Sequence, residues 1–274
     1  MTKCLDMVRS YLKYIKIRSR QDSKSEVQVE RKYDTYMLVD YDNLDAREFG
    51  TGPMERLEHL ISIALDHFQQ DHLEKTEWIY VRLYGGWYED LHLTQLAHEV
   101  LQKIPTTHYL ITSNRTDIGG KLTWRVQTQL ALDLLSVPGA VFENTYRRRE
   151  RLKGIRVVDP ISVGFDPIKC TVKGIKHLLS HGKCPDCKTE ATRILWQVEQ
   201  KLVDVMMAAD LLHLSNMQDA VVCVVSSDED FWPAMLQATE QGMNPVYHIH
   251  GIPGRRIKHA YSQYANSLYR EVVL

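Results

Sequence analysis

The stretch Val221-Val222-Cys223-Val224-Val225-Ser226-Ser227-Asp228-Glu229-Asp230-Phe231 decides the fold. Five apolar residues run without a break into two serines, then into two aspartates spaced i, i+2. A continuous apolar run of this kind reads as a strand buried on both faces, as in parallel sheets. Its C-terminal end then delivers the polar residues, where ligand sites of open α/β sheets lie. Two desolvated carboxylates there repel one another unless a cation or proton sits between them.

The same grammar recurs along the chain. Tyr36-Met37-Leu38-Val39-Asp40 reads as a second buried strand that also ends in an acid. Strands are expected at 36–40, 78–84 and 108–112, and helices at 54–70, 91–103 and 122–135. This β-α-β-α-β-α order argues for a parallel sheet with right-handed crossovers. Farther on, a helix over 201–214 precedes the 221–226 strand. A helix over 232–241, a strand at 245–249 and a closing helix over 257–269 follow. The expected fold class is α/β: a doubly wound parallel sheet with helices on both faces. A basic, β-prone, cysteine-bearing insert interrupts it at about 140–198. Residues 1–34 stand apart as an N-terminal extension in which Lys and Arg outnumber Asp and Glu. Leu5, Val8, Leu12 and Ile15 give it one amphipathic helical turn pattern before a charged arm.

Bulk composition bounds the function classes. With 274 residues, 44% hydrophobic and 25% charged, the chain has the make-up of an ordinary globular domain. Its formal net charge of −1 gives no whole-chain attraction to nucleic acid or to a charged surface. No apolar run approaches the ~20 residues of a membrane span, so no membrane partner is expected. Five cysteines are too few and too uneven for a disulfide framework. A reducing, cytoplasmic setting is the expectation.

Aspartates occur at three places that this architecture gathers. They are Asp40 at the first strand's end, Asp204 near the start of the 201–214 helix, and Asp228 with Asp230. Such oxygen clusters bind Mg²⁺ or Mn²⁺, which lower the pKa of a bound water and screen a phosphodiester's charge. For each aspartate alone, a helix cap or turn role competes.

Val39-Asp40-Tyr41-Asp42-Asn43-Leu44, Lys201-Leu202-Val203-Asp204-Val205 and Ser226-Ser227-Asp228-Glu229-Asp230-Phe231-Trp232-Pro233 resemble, in that order, the three signatures of NYN domains. These are PIN-like, metal-dependent ribonucleases, and the bacterial branch is the nearest in pattern. The resemblance covers roughly 36–273. It implies a PIN-like sheet and an endoribonuclease that cleaves RNA phosphodiester bonds with Mg²⁺ or Mn²⁺ and an activated water. Asp40, Asp204, Asp228 and Asp230 carry over as catalytic, metal-holding acids. Asn43 carries over as a polar residue orienting a water or phosphate, and Ser226 or Ser227 as a phosphate contact or a cap of the next helix. Many relatives have glycine where Ser227 stands. Asp210 matches a recurring family position, but six residues past Asp204 it lies about 240° around a helix. It is therefore expected as a structural partner before a ligand. PIN-like domains often pair, so a homodimer is a candidate assembly.

Cys184-Pro185-Asp186-Cys187 is a C-x₂-C knuckle inside the insert. Cys170 and a histidine, His177 or else His181, complete a candidate structural Zn²⁺ set. Free thiols compete with that reading, and a redox pair is the weaker alternative because a strand, not a helix, follows the knuckle. The densest basic runs contain Arg147, Arg148 and Arg149, and Arg255 and Arg256. Local patches of this kind offset a phosphate backbone near an acidic site, or else are solvated faces. Trp87 and Tyr88 are candidates for stacking on unpaired bases or for ordinary packing. Asp117-Ile118-Gly119-Gly120-Lys121 is a small phosphate nest ahead of a helix, or a plain loop.

Two other function classes remain. Asp40-Tyr41-Asp42 is a D-x-D after a first strand, as in haloacid-dehalogenase-type phosphohydrolases, although Leu44 stands where those use Thr or Val. A catalytically silent PIN-like module that binds RNA or protein is the third class.

Overall fold

A computed structural model describes residues 33–41, 53–68, 76–105, 108–115, 120–149, 181–182, 197–200, 202–250, 256 and 262–273. The chain divides into two compact units, Met1–Thr145 with Leu202–Leu274, and Tyr146–Lys201.

The larger unit is built on β1 (Tyr33–Asp40), α1 (Pro53–His67), β2 (Thr76–Tyr84), β3 (Tyr88–Glu89), β4 (His92–Leu93), α2 (Gln95–Lys103), β5 (Tyr109–Arg115) and β6 (Gly120–Leu130). The smaller unit contributes β7 (Tyr146–Arg149) and β8 (Gln197–Gln200). The larger unit then resumes with α3 (Val203–Ser215), β9 (Ala220–Val225), a 3₁₀ turn (Glu229–Phe231), α4 (Trp232–Gln241), β10 (Val246–Ile249) and β11 (Tyr269–Val272).

Seven strands form one sheet in the order β11-β10-β9-β1-β2-β6-β5. Every neighbouring pair is parallel except β5 with β6. The fold is thus α/β with a mostly parallel, mixed sheet. β9 is buried at all six positions, as its unbroken apolar run requires. Alternation sorts its side chains onto two cores. Val221, Cys223 and Val225 join Met37 and Val39 under Leu57, Ile61 and Leu65 of α1 and Ala97 and Val100 of α2. Val222 and Val224 join Leu38 under Met207 and Leu211 of α3 and Met235 and Ala238 of α4. Helices therefore cover both faces.

One expected helix is largely a strand, and the end of another runs into one. The segment 122–135 was expected to be helical, yet its residues 122–130 belong to β6, and the reason is visible in its burial. Trp124, Val126, Thr128 and Leu130 are buried, with more exposed residues between them, a period of two. β5 pairs with β6 in antiparallel register, Ile111 opposite Trp124, so the anticipated parallel repeat ends in an edge hairpin. Gly120 accordingly opens a strand, not a helix; the rest of the candidate nest, residues 117–119, lies outside the described residues. At the chain's end, Tyr269–Val272 is β11, parallel to β10, where the close of a helix was expected. The turn before it is set by Asn266, whose Oδ1 accepts from Leu268 N at 2.9 Å and whose Nδ2 donates to Thr239 O at 2.9 Å. Helix α2 begins at Gln95 instead of 91, because Thr94 caps it by accepting from Ala97 N, and His92–Leu93 pairs with β3.

In the smaller unit β7 and β8 are antiparallel, with Arg147 opposite Glu199 and Arg149 opposite Gln197. The cysteine knuckle, Cys170 and His177 lie outside the described residues, as do 257–261 and residues 1–32 of the N-terminal extension, whose last two residues, Tyr33 and Asp34, belong to β1.

Candidate active site at the β1 and β9 strand ends

From β1 the sheet grows in one direction through β2 and β6, and from β9 in the other through β10 and β11. Between β1 and β9 the direction of winding reverses, which opens a crevice at the strands' C-terminal ends. Asp40 ends β1, and Ser226, Ser227 and Asp228 leave β9 beside it, since Val39 and Val225 are register partners.

A chain of hydrogen bonds crosses this seam. Ser226, wholly buried, donates from Oγ to Asp40 Oδ2 at 3.3 Å. The same Oγ accepts from Asp228 N at 3.1 Å. Asp228 Oδ1 accepts from Asp230 N at 2.9 Å and caps the 3₁₀ turn. A cap on the next helix was expected of Ser226 or Ser227, but α4 starts from Phe231 without a side-chain cap; Asp228 caps the 3₁₀ turn ahead of it, and both serines are buried. Phe231 and Trp232 pack into the core beneath and start α4. Asp40 is 7% exposed, whereas Asp228 and Asp230 are exposed.

Asp204 reaches the same region from the first turn of α3. Its carboxyl is pushed above the ordinary carboxylate range by partial burial, and further by the charges of Asp228 and Asp230. The helix before it starts from Leu202 at φ 66, left-handed backbone that a leucine rarely adopts. Two turns on, Asp210 faces the sheet and is fully buried. Its Oδ2 accepts from Tyr84 Oη at 2.6 Å and its Oδ1 from Leu135 N at 2.7 Å. Arg82 Nε lies 3.4 Å from Oδ2, and Arg82 also pairs with Asp133 at 3.3 Å. Burial raises the Asp210 pKa, opposed by Arg82, Tyr84 and Leu135 N. Asp210 is thus an anchor that ties α3 to β2. Tyr84 is the register partner of Asp40, so the anchor lies beside the crevice.

A histidine pair borders the seam on the other side, where the sequence drew no attention. His248 Nε2 bonds Ser226 O at 3.0 Å and its Nδ1 meets Tyr269 Oη at 2.8 Å. A carbonyl only accepts, so Nε2 carries the proton and Nδ1 accepts from Tyr269. Burial, then His250, pushes His248 down to about 4. The rings of His248 and His250 lie 4.3 Å apart, and His250 Nε2 meets Glu271 Oε1 at 2.8 Å. The signal that was available is the polar i, i+2 pair of His248, in an otherwise apolar strand, and His250 just past its end.

Trp87 is 1% exposed, donates to Leu83 O at 2.8 Å and packs edge-on to Tyr41. It is a core residue and presents no stacking face. Arg256 is exposed. Asn43, Asp42 and Arg255 lie outside the described residues, as do Cys184 and Cys187.

The acids gathered here are hard oxygen donors, the chemistry that Mg²⁺ and Mn²⁺ take. They match such an ion in donor type, and Asp204, raised first by burial, is raised further by the charges of Asp228 and Asp230. Among the described residues no three His, Cys, Asp or Glu side chains are gathered tightly enough to hold a metal ion. Among those residues, too, no helix is long and apolar enough to cross a membrane.

No family model matches the chain. No curated protein matches it either. A solved structure, that of a protein of unknown function from Vibrio parahaemolyticus, is similar at 9% identity over 91% of this chain and 96% of its own, with a TM-score of 0.29. Similarity at that level carries no argument.

Proposed function

We propose that the chain is a PIN-like, NYN-type endoribonuclease that cleaves RNA with Mg²⁺ or Mn²⁺. The observation that carries this reading is the meeting of acids from separate elements at the switch point. Asp40 is bonded through Ser226 to the Asp228 turn, and Asp204 lies within the field of Asp228 and Asp230. Asp40, Asp204, Asp228 and Asp230 would hold the ion. When bound, it supplies charge screening at phosphorus and an acidified water.

The chain's own residues do the rest. Ser226 orients Asp40 and the Asp228 backbone from the buried side. The exposed Asp204, Asp228 and Asp230 face the solvent from which a polynucleotide arrives. The basic runs of the sequence, Arg147, Arg148 and Arg149, and Arg255 and Arg256, belong to the same proposal as groups that offset RNA phosphates. Zn²⁺ at Cys170, His177, Cys184 and Cys187 belongs to the same proposal as support for the smaller unit.

The test is incubation of the full chain with single-stranded and structured RNA in Mn²⁺, Mg²⁺ or EDTA. Cleavage that needs the ion supports the reading, and cleavage indifferent to chelation sinks it. A second reading, a silent RNA-binding module, is favoured by the structural work these acids already do, Asp40 accepting from Ser226 and Asp228 capping the 3₁₀ turn. It predicts RNA retardation in a gel that survives Asp40→Asn, with no cleavage under any ion.

A further inference from the structure

We propose that His248 is a positioning residue of the acidic site, acting on Asp40 and Asp228 through Ser226; this rests on the nuclease reading for its purpose. Ser226 lies just past the last β9 residue. Its N–H still joins the sheet, donating to Ile249 O at 3.2 Å. Its carbonyl is met from the next strand by His248 Nε2–H at 3.0 Å. One buried residue is thus held by backbone on one side and by an imidazole on the other, while its Oγ links Asp40 and Asp228.

The imidazole is itself held. Tyr269 of β11 occupies Nδ1 at 2.8 Å, and the ring packs on His250, which Glu271 of β11 secures. Both ring nitrogens of His248 are used, and the side chain is 5% exposed. It is nearly closed off from solvent. Metal sites and acid clusters depend on such outer partners, whose loss costs about 10–100-fold in metal affinity or activity. β10 and β11 therefore do more than extend the sheet: their histidine and tyrosine set the geometry of carboxylates two strands away.

The test uses amide exchange in the full chain, read at Asp228, whose N–H bonds Ser226 Oγ, and at Val224 inside β9 as a measure of general stability. His248→Phe keeps the ring and removes the donor. It should speed exchange at Asp228 about tenfold with little change at Val224. His248→Gln returns an N–H at the Nε2 position and should restore the parental rate. Tyr269→Phe removes only the hydroxyl and should loosen Asp228 in the same sense, which keeps the test open if His248→Phe does not fold. Parental exchange at Asp228 in these variants, or equal acceleration at both amides, overturns the proposal. Mn²⁺ affinity from water proton relaxation should fall about tenfold in His248→Phe and return in His248→Gln. A parent chain that binds no Mn²⁺ defeats the nuclease reading, and the amide rates still decide the positioning.

Discussion

The hydroxyl of Tyr84 donates to Asp210 Oδ2 at 2.6 Å, joining the end of β2 to the middle of α3. Both groups are buried, with Arg82 3.4 Å from the same carboxylate oxygen. Replacing Asp210 by alanine leaves the Arg82 cation and the Tyr84 hydroxyl without this partner. Loss of one member of such a buried ionic network costs on the order of 3–5 kcal/mol. Urea unfolding of Asp210→Ala should show that loss, while Tyr84→Phe should cost about 1–2 kcal/mol. Equal stability of Asp210→Ala and the parent would mean that α3 is held by packing alone.

His248 makes stability depend on acid. Its folded pKa is about 4, below the ordinary 6.5, so below pH 6.5 the unfolded chain binds this proton and the folded chain does not. Stability contributed by neutral His248 is present above 6.5 and declines as pH falls toward 4. At ~1.4 kcal/mol per pH unit the full effect is on the order of 3 kcal/mol. Thermal unfolding from pH 7 to pH 4 should slope less in His248→Gln than in the parent. The titratable groups facing this ring are the buried His250, the partly exposed Tyr269 and, through His250, the partly exposed Glu271.

Asp204 titrates above the ordinary carboxylate range, with burial the main cause and Asp228 and Asp230 the next. Asp228→Asn should therefore lower the Asp204 midpoint toward 3.8, as read from its carboxyl carbon by NMR. An unchanged midpoint would place Asp204 outside the acidic cluster. Because the ionised form is disfavoured in the fold, this group's contribution to stability falls as pH rises through its raised pKa.

Gly85 leaves room for the Trp87 indole. A Cβ at Gly85 would come within 2.8 Å of the ring, and Trp87 is buried and bonded back to Leu83. Gly85→Ala should cost about 1–3 kcal/mol by overpacking and should shift Trp87 fluorescence. Parental stability and emission would show that the turn gives way freely.

How far the fold could be read from sequence depended on burial. β1, β2, β9 and α4 are marked by unbroken apolar runs or by a full amphipathic period, and both give one answer. β6 misled because Leu122, Val126, Leu130 and Leu134 also recur at helical spacing, while Trp124 and Thr128 complete the alternation that pairing with β2 and β5 selects. β11 is four residues long, and its strand state comes from β10, not from local preference. The aspartates were visible because charged residues at strand ends are conspicuous. The Ser226 and His248 link was not, because it joins positions 22 residues apart through a carbonyl that any residue possesses.

The central claim is that the acids at the β1 and β9 strand ends cleave RNA. Single-turnover cleavage of a single-stranded RNA in Mn²⁺, parent against Asp228→Asn, tests it most directly. The asparagine keeps the cap on Asp230 N and removes the charge, so folding is spared. The account predicts cleavage by the parent and a rate lower by roughly 100-fold or more in the variant. Equal rates in the two chains, or no cleavage by the parent, would contradict it.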